Sequence, residues 1–466
     1  MYFLVEFIFC INFLIGSILC GQTDRYQHNS VIINNQLLIF AGWNDQNQNQ
    51  LTSLFYLDLL KPFDNVNIPW TSIPNGDLPV YAWASTAIVG LNNSTIFQIG
   101  GYEKNKNTLN YNYSNQVYTY DYPTSKWTIP SIIGDSIPPR QLINGVIDNS
   151  GIIYIFGGFN ATNLTVFTGQ MYNDMNILNT SSMTWKTLSP SLPPSECCSY
   201  SANILSNGII VYIGGILLGG GSYASAPLDE VKRDTSPILE IYTNSNTYLL
   251  KMNDIKLFDT KKLEWSSMNA TGGDVVDPRW QFSSVLTPDG NIIIFGGCTI
   301  DFTSVSPKLA VLDTNKSPYK WTIPIDSEFN SPPSIHGHSA NLYFNYMIIT
   351  FGNNTNDKTY NSQVYLYNIT NNRWITNFIP PINTTTSTSP TSICTGTGTC
   401  TNTNAISPSA STSANNTLPT KALAIGFGIG ISVVIMIFAV IFIFRKKVKS
   451  QVLEIAGSNE NPNHDS

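Results

Sequence analysis

The chain has 466 residues, of which 12% are charged and 12% aromatic, and its formal net charge is −6. That length exceeds one ordinary domain of roughly 100–200 residues, and the acidic balance excludes the basic footprint of a nucleic-acid-binding surface. Abundant Asn, Ser and Thr, with Tyr and Phe at 23 each, mark an exported, β-rich chain.

The first twenty residues, MYFLVEFIFCINFLIGSILC, are apolar and give way to polar sequence at Gln22. They read as a secretory signal peptide over 1–21, cleaved after Cys20 or Gly21. Two features depart from the ideal: no Lys or Arg precedes the apolar run, and Glu6 lies inside it. An uncleaved anchor is the alternative.

From there to residue 382 one pattern returns six times. An apolar run closes on a glycine pair or its remnant at Gly42, Gly101, Gly158, Gly215, Gly297 and Asn353, at intervals of 59, 57, 57, 82 and 56 residues. A Trp follows each in phase: Trp70, Trp127, Trp185, Trp265, Trp321 and Trp374. Between them lies an alternating run that often ends in Asp, as at Asp58, Asp121, Asp259 and Asp313. Another short β-forming run precedes each glycine motif. Each unit therefore holds four short strands suited to antiparallel pairing. A sheet of this size cannot bury both faces alone, whereas a ring of such sheets can. Glycine at the strand end permits positive φ and close backbone approach, and the Trp is expected to plug the space between neighbouring sheets. The once-per-unit carboxylates read as turn residues.

This pattern resembles the kelch repeat over roughly residues 25–380. The resemblance implies an all-β, six-bladed kelch β-propeller. One glycine of the pair is missing at Ala41 and at Asn353. The Arg-X-X-His-Ser lead-in is worn: Arg25–His28 keeps it, Arg140 and Arg279 keep half, and Ser334 replaces Arg before His336 and His338. No segment before Asp24 supplies a spare strand, so the closure of the ring, and a seventh blade, stay open.

Some kelch-like propellers are copper radical oxidases, such as galactose oxidase, which need two His, two Tyr and a Cys linked to one Tyr. Here residues 22–421 contain only His28, His336 and His338. His336 and His338, two apart on a strand, would share a face and could chelate a metal, but His338-Ser339 also fills the family's ordinary His-Ser position. No nucleophile elbow or phosphate loop is present. The sequence therefore assigns no catalytic, cofactor or metal residue. Cys197 and Cys198 are adjacent in an expected strand, which sends their side chains to opposite faces. Packed thiols are expected there rather than a vicinal disulfide. Cys298 follows a glycine pair and could meet either.

The fourth interval is longer by about 25 residues, and the excess lies between Gly215 and Asp254. Strand alternation places this loop on the same face as the long, Pro-bearing connections between blades. The family resemblance implies partner binding on that face, and long loops often carry function. Asp229, Glu230 and Arg233 would form a polar tip, with Tyr242 and Tyr248 as contact anchors. A tolerated surface insertion is the plain alternative.

Residues 383–421 are rich in Ser, Thr and Pro and read as a disordered, O-glycosylated stalk. Cys394 and Cys400 stand alone within it and are expected to pair in an oxidising compartment. Residues 422–444 are wholly uncharged; at 1.5 Å per residue they span the ~30 Å hydrocarbon core as one transmembrane helix. Arg445, Lys446, Lys447 and Lys449 follow, making residues 445–466 a cytoplasmic tail and the topology type I, at the plasma membrane or another secretory-pathway membrane. Gly426 and Gly430 have the small-X-X-X-small spacing of a helix dimer contact. N-glycosylation sequons at Asn92, Asn112, Asn160, Asn163, Asn179, Asn269, Asn368 and Asn383 agree with export. The expected function is a non-catalytic protein- or glycan-binding module at the cell surface. A copper radical oxidase or a structural spacer are the alternatives.

Overall fold

The computed structural model describes residues 24–44, 49–113, 115–163, 168–218 and 247–381. The chain divides into units 1–386 and 387–466. The segments expected to be signal peptide, stalk, membrane helix and tail, with Cys394, Cys400, Gly426, Gly430 and Asn383, lie outside the described residues.

Six antiparallel four-stranded sheets follow one another along the chain, over 29–72, 86–128, 146–188, 201–269, 283–322 and 339–375. Each is a blade, with its strands in chain order from the axis outward. The third sheet carries a fifth, edge strand, Ile133–Gly134, paired in parallel with Thr184–Leu188. Blade 1 shows the local logic. Asn29–Ile33 turns through Asn34 and Asn35, both at positive φ, into Gln36–Phe40. Leu37, Leu38, Ile39 and Phe40 are all fully buried, because both faces of the strand meet other blades.

The six Trp residues stand between blades as expected. Trp127 packs on Phe40 of the preceding blade at 5.3 Å between ring centroids, Trp265 on Phe156 at 4.6 Å and Trp374 on Phe295 at 5.0 Å. Trp70 stacks on Phe351 of the last blade at 5.8 Å, which closes the ring. The repeat carboxylates are turn acceptors: Asp58 takes Leu60 N–H at 3.0 Å and Asp259 takes Lys261 N–H at 2.9 Å.

The glycine pair does two jobs. A Cβ on the first glycine would strike the next blade: it would stand 2.4 Å from Arg140 O at Gly100, 2.6 Å from Cys197 O at Gly157 and 2.3 Å from Ile335 O at Gly296. The second glycine, at φ between 87° and 103°, lies against the lead-in of its own blade. Its N–H donates to the next blade: 42 to Ala82, 101 to Arg140, 158 to Cys197, 215 to Arg279, 297 to Ile335 and 352 to Arg25. The last bond places the pair of blade 6 at Phe351 and Gly352, so the missing glycine is at 351 rather than 353. Phe351 takes the left-handed turn itself, at φ 55°.

Six blades close the ring without a seventh and without exchanging a blade strand. Blade 6 joins blade 1 by the Gly352–Arg25 bond at 3.0 Å, by Ser30–Ser339 at 2.6 Å and by a short ladder of Asn377–Phe378 on Phe63–Asp64. Cys197 and Cys198 precede their strand, Ser201–Ile204, instead of lying in it. Cys198 forms a β-bridge to Ile216, while Cys197 bonds to blade 3 through Tyr172 O and Gly158 N–H.

Candidate functional site

The segment after each glycine pair folds back on the lead-in to the same blade. Val80–Trp83 pairs with Tyr102–Asn105, Ile335–His336 with Asn353–Asn354, and single bridges join Tyr26 to Trp43, Gln141 to Phe159, Cys198 to Ile216 and Trp280 to Cys298. All six therefore rise on one face, as expected from strand alternation. Their side chains merge into one apolar roof across the axis, drawn from every blade and including Tyr26, Trp83, Tyr102, Phe159, Trp280 and Phe302.

Beneath the roof is a collar. Gln27, Ala84, Leu142, Ser199, Gln281 and Gly337 all hold φ between 49° and 62°. Their backbones bond around the axis: Ala84 N–H to Gln27 O, Leu142 to Ala84, Ser199 to Leu142, Gly337 to Gln281 and Gln27 to Gly337, at 2.7–3.0 Å. Beyond the collar, the innermost strands of five blades and the lead-in residues 142–145 of blade 3 line a central cavity of about 410 Å³. Its walls mix hydroxyls and amides, including Ser30, Ser85, Ser284, Ser339 and Asn341, with apolar side chains such as Val31, Ile143 and Phe282.

The three histidines do not form a common ligand set. Gly337, at φ 62°, breaks the strand between His336 and His338, so they do not share a face. His336 Nδ1 meets Gln281 Oε1 at 2.8 Å under the roof. His338 Nε2 meets Ser283 Oγ at 2.7 Å between blades, and His28 Nε2 meets Thr350 and Ser339 hydroxyls at 2.9 Å. Burial, aided by neighbouring positive charge at His336, pushes His336 and His338 down to about 3. Among the described residues no three His, Cys, Asp or Glu side chains lie close enough to hold a metal. The donors present do not fit the copper site of the oxidases. Cys197, Cys198 and Cys298 are free and buried. Burial pushes their thiols up, that of Cys197 to about 12, which removes thiolate chemistry.

On the roof between blades 1 and 2, Lys104 Nζ stands 4.6 Å from the Tyr111 ring centre, 5.5 Å from Trp43 and 5.8 Å from Trp83. Burial lowers its pKa. Beside it Glu103 is buried with Tyr118 O–H donating at 3.1 Å. Burial outweighs that bond and raises its carboxyl to about 9. At neutral pH the group is an uncharged acid.

The blade 4 insertion leaves this face on a stem in which Ile216–Leu218 pairs with Thr247–Leu249. Tyr248 is half-buried in that stem, opposite Leu217. Asp229, Glu230, Arg233 and Tyr242 lie outside the described residues. Asn92, Asn112 and Asn269 are exposed, and Asn160, Asn179 and Asn368 partly so. The side chain of Asn163 lies outside the described ones. Repeat reading missed the roof aromatics. The signal available was that Trp43, Trp83 and Trp280 stand outside the one-per-blade series of the nine Trp residues.

Six blades, double-glycine junctions and an inter-blade Trp define a kelch-type propeller. The chain belongs to the KLHDC2/KLHL20/DRC7 Kelch-repeats domain family, which matches residues 20–215 and 242–407 and passes over most of the blade 4 insertion. Kelch domain-containing protein 3 of Rattus norvegicus is 24% identical over 288 residues, 59% of this chain and 65% of that protein. Host cell factor 2 of Homo sapiens is 24% identical over 248 residues, 51% of this chain and 27% of that one. The chain thus spans less than two thirds of the length of these relatives. Among solved structures, YjhT is 12% identical with a TM-score of 0.54, covering 76% of this chain and 97% of its own, a likeness of fold.

Proposed function

We propose that this chain is a single-pass type I surface glycoprotein whose propeller, 22–382, is a non-catalytic protein-recognition module. In this reading 1–21 is a signal peptide, 383–421 a stalk, 422–444 the membrane span and 445–466 the cytoplasmic tail. The partner docks on the roof face. The observation that carries this is the blade 4 insertion: it springs from a roof-face hairpin and 216–241 lies outside the family match. Among the described residues no helix is long and apolar enough to cross a membrane; the 422–444 run lies outside them. A glycan partner remains the second form of this reading, supported by the aromatic roof, since ring faces stack on sugars as on other amphipathic ligands.

The test uses full-length protein on intact cells. Digestion with peptide N-glycosidase should shift its mass, and an antibody to residues 450–466 should need permeabilised cells. Detergent-purified protein should bind saturably on arrays of extracellular proteins and glycans. Replacing 219–246 by a short turn should abolish that binding at unchanged melting temperature. Binding that survives the replacement would move the site off the insertion, and no glycan shift would remove the surface topology.

A further inference from the structure

Three blades bury an arginine at the same place, one of them on an aspartate, and blade 4 has the aspartate without the arginine. The carbonyls that accept the second-glycine N–H belong to Arg25, Ala82, Arg140, Cys197, Arg279 and Ile335, which makes these six positions equivalent. Where arginine is present it turns under its own glycine junction. Nη1 donates to Ala41 O at 3.1 Å, Gly157 O at 2.8 Å and Gly296 O at 3.1 Å. Nη2 donates to Ser53 Oγ at 3.1 Å, to the Asp174 carboxylate at 3.1 Å or to Ser306 O at 3.3 Å, on or just before the third strand, and Nη1 of Arg140 also meets the Asp174 carboxylate, at 2.7 Å.

Strand register identifies the acid position in every blade. Gln36 pairs with Asp58, Ile152 with Asn179 and Ile209 with Asp259. Five residues before these partners stand Ser53, Asp174 and Asp254. The same count gives Gln116, Lys308 and Gln363 in blades 2, 5 and 6. Blade 4 is therefore the one that has an acid at this position and no arginine: Cys197 stands where the guanidinium stem would start. At that place lies a cavity of about 350 Å³, lined by Cys197, Asp254, Lys256, Trp265, Leu217 and Leu250. It falls within the roughly 300–1,000 Å³ of small-ligand sites.

We propose that this cavity binds an alkylguanidinium, the head of an arginine side chain. The ligand enters the slot that blade 4 has vacated and sets its fork on Asp254. The chemistry matches part by part. A carboxylate accepts a planar fork in two parallel bonds. Leu217 and Leu250 receive the aliphatic stem. Trp265 gives the cavity an aromatic wall, and Arg25 and Arg140 likewise lie on aromatic rings, Phe55 and Tyr172, at 4.6 and 4.8 Å. Asp254 and Lys256 are 36% and 27% exposed, so the slot opens to solvent. Lys256 Nζ now holds one carboxylate oxygen at 2.6 Å. It is the resident competitor, a point charge where a fork would make two bonds. The assignment does not rest on the partner reading above.

Isothermal titration of the full-length protein in detergent tests this, with N-acetyl-arginine-N-methylamide, its lysine counterpart and free L-arginine as probes. The arginine amide should bind saturably and at least about fivefold tighter than the lysine amide. Asp254→Asn should weaken it about tenfold or more, and Lys256→Gln should tighten it by removing the competing charge. Cys197→Arg should fill the slot from within, raising the melting temperature and abolishing binding. Capped arginine outbinding free arginine marks a polypeptide side chain as the natural ligand; the reverse marks a free small molecule. Absence of saturable binding in both wild type and Lys256→Gln overturns the proposal, as does an Asp254→Asn variant that binds like wild type. Should Cys197→Arg fail to fold, the other two variants decide.

Discussion

Arg25, like Arg279, is buried without an ion-pair partner among the described residues, and for Arg25 this makes a quantitative prediction. It is fully buried, stacks on Phe55 and reaches only Ala41 O and Ser53 Oγ. Burial lowers its pKa from 12.5 to about 9. At 1.36 kcal/mol per pKa unit that is a penalty of about 5 kcal/mol on the charged form. Because the folded pKa lies below the unfolded one, the penalty is fully present below pH 9 and fades as pH rises toward 12.5. Ser53 occupies the register position of Asp174, which pairs bidentately with Arg140. Ser53→Asp should supply the missing carboxylate. At about 4 Å and an effective dielectric of 20 the attraction is about 4 kcal/mol. Position 53 is exposed, so desolvation of the new carboxylate removes only part of this. A net gain of about 2 kcal/mol is expected, which at about 2.1 cal/mol/K per residue over a propeller of about 360 residues raises the melting temperature by about 3 °C. Thermal unfolding by circular dichroism at pH 7 and pH 3, with Ser53→Asn as the uncharged control, reads it. The new carboxylate's folded pKa lies below its unfolded value, so the gain holds above about pH 4 and disappears as pH falls through the folded value. A Ser53→Asp protein that melts at or below Ser53→Asn at pH 7 would refute the reasoning.

Gly100→Ala puts a Cβ 2.4 Å from Arg140 O at a φ of 64°; a loss of about 3 kcal/mol or more is expected from strain and forced blade separation, read by urea denaturation. Glu103→Gln should stabilise at pH 7 by about 2–3 kcal/mol and change little at pH 4. The folded carboxyl titrates near 9 and the unfolded one near 4.5, so the native group costs stability progressively between those values. Equal unfolding midpoints for Glu103→Gln and wild type at pH 7 would contradict this. His336 and His338 titrate near 3 in the fold and near 6.5 unfolded, so stability should fall as pH drops from 6.5 toward 3. His338→Gln should flatten that slope by about one proton; an unchanged slope would show that His338 does not contribute.

What was legible in the sequence was whatever each blade must solve for itself. Gly100 and Gly157 are required by a carbonyl pressing from the next blade, and Trp127 and Trp374 by the gap they fill, so these recur at fixed spacing. Blade 6 misled by one residue because Phe351 adopts the left-handed turn without being glycine, and Gly352-Asn353 imitates a broken pair. The His336–His338 face was misjudged because a strand was assumed through Gly337. The roof was not legible, since Tyr26, Trp83, Tyr102 and Phe302 reach it from separate blades and no local spacing links them. The Arg140–Asp174 pair was hidden similarly: the arginine belongs to the lead-in and the acid to the third strand, with a loop of variable length between.

The seam between the last blade and the first carries the same glycine-to-carbonyl bond as the other five, and the collar passes through it without a break. The junction that the propeller chain does not cross is consequently bonded as fully as those that it does. A circularly permuted chain, with residue 381 linked to residue 24 and new ends opened within 219–246, should assemble the same six blades and melt within a few degrees of the parent. Unfolding of the permuted chain would mean that the order of synthesis, rather than the closed set of blade contacts, determines whether the ring forms.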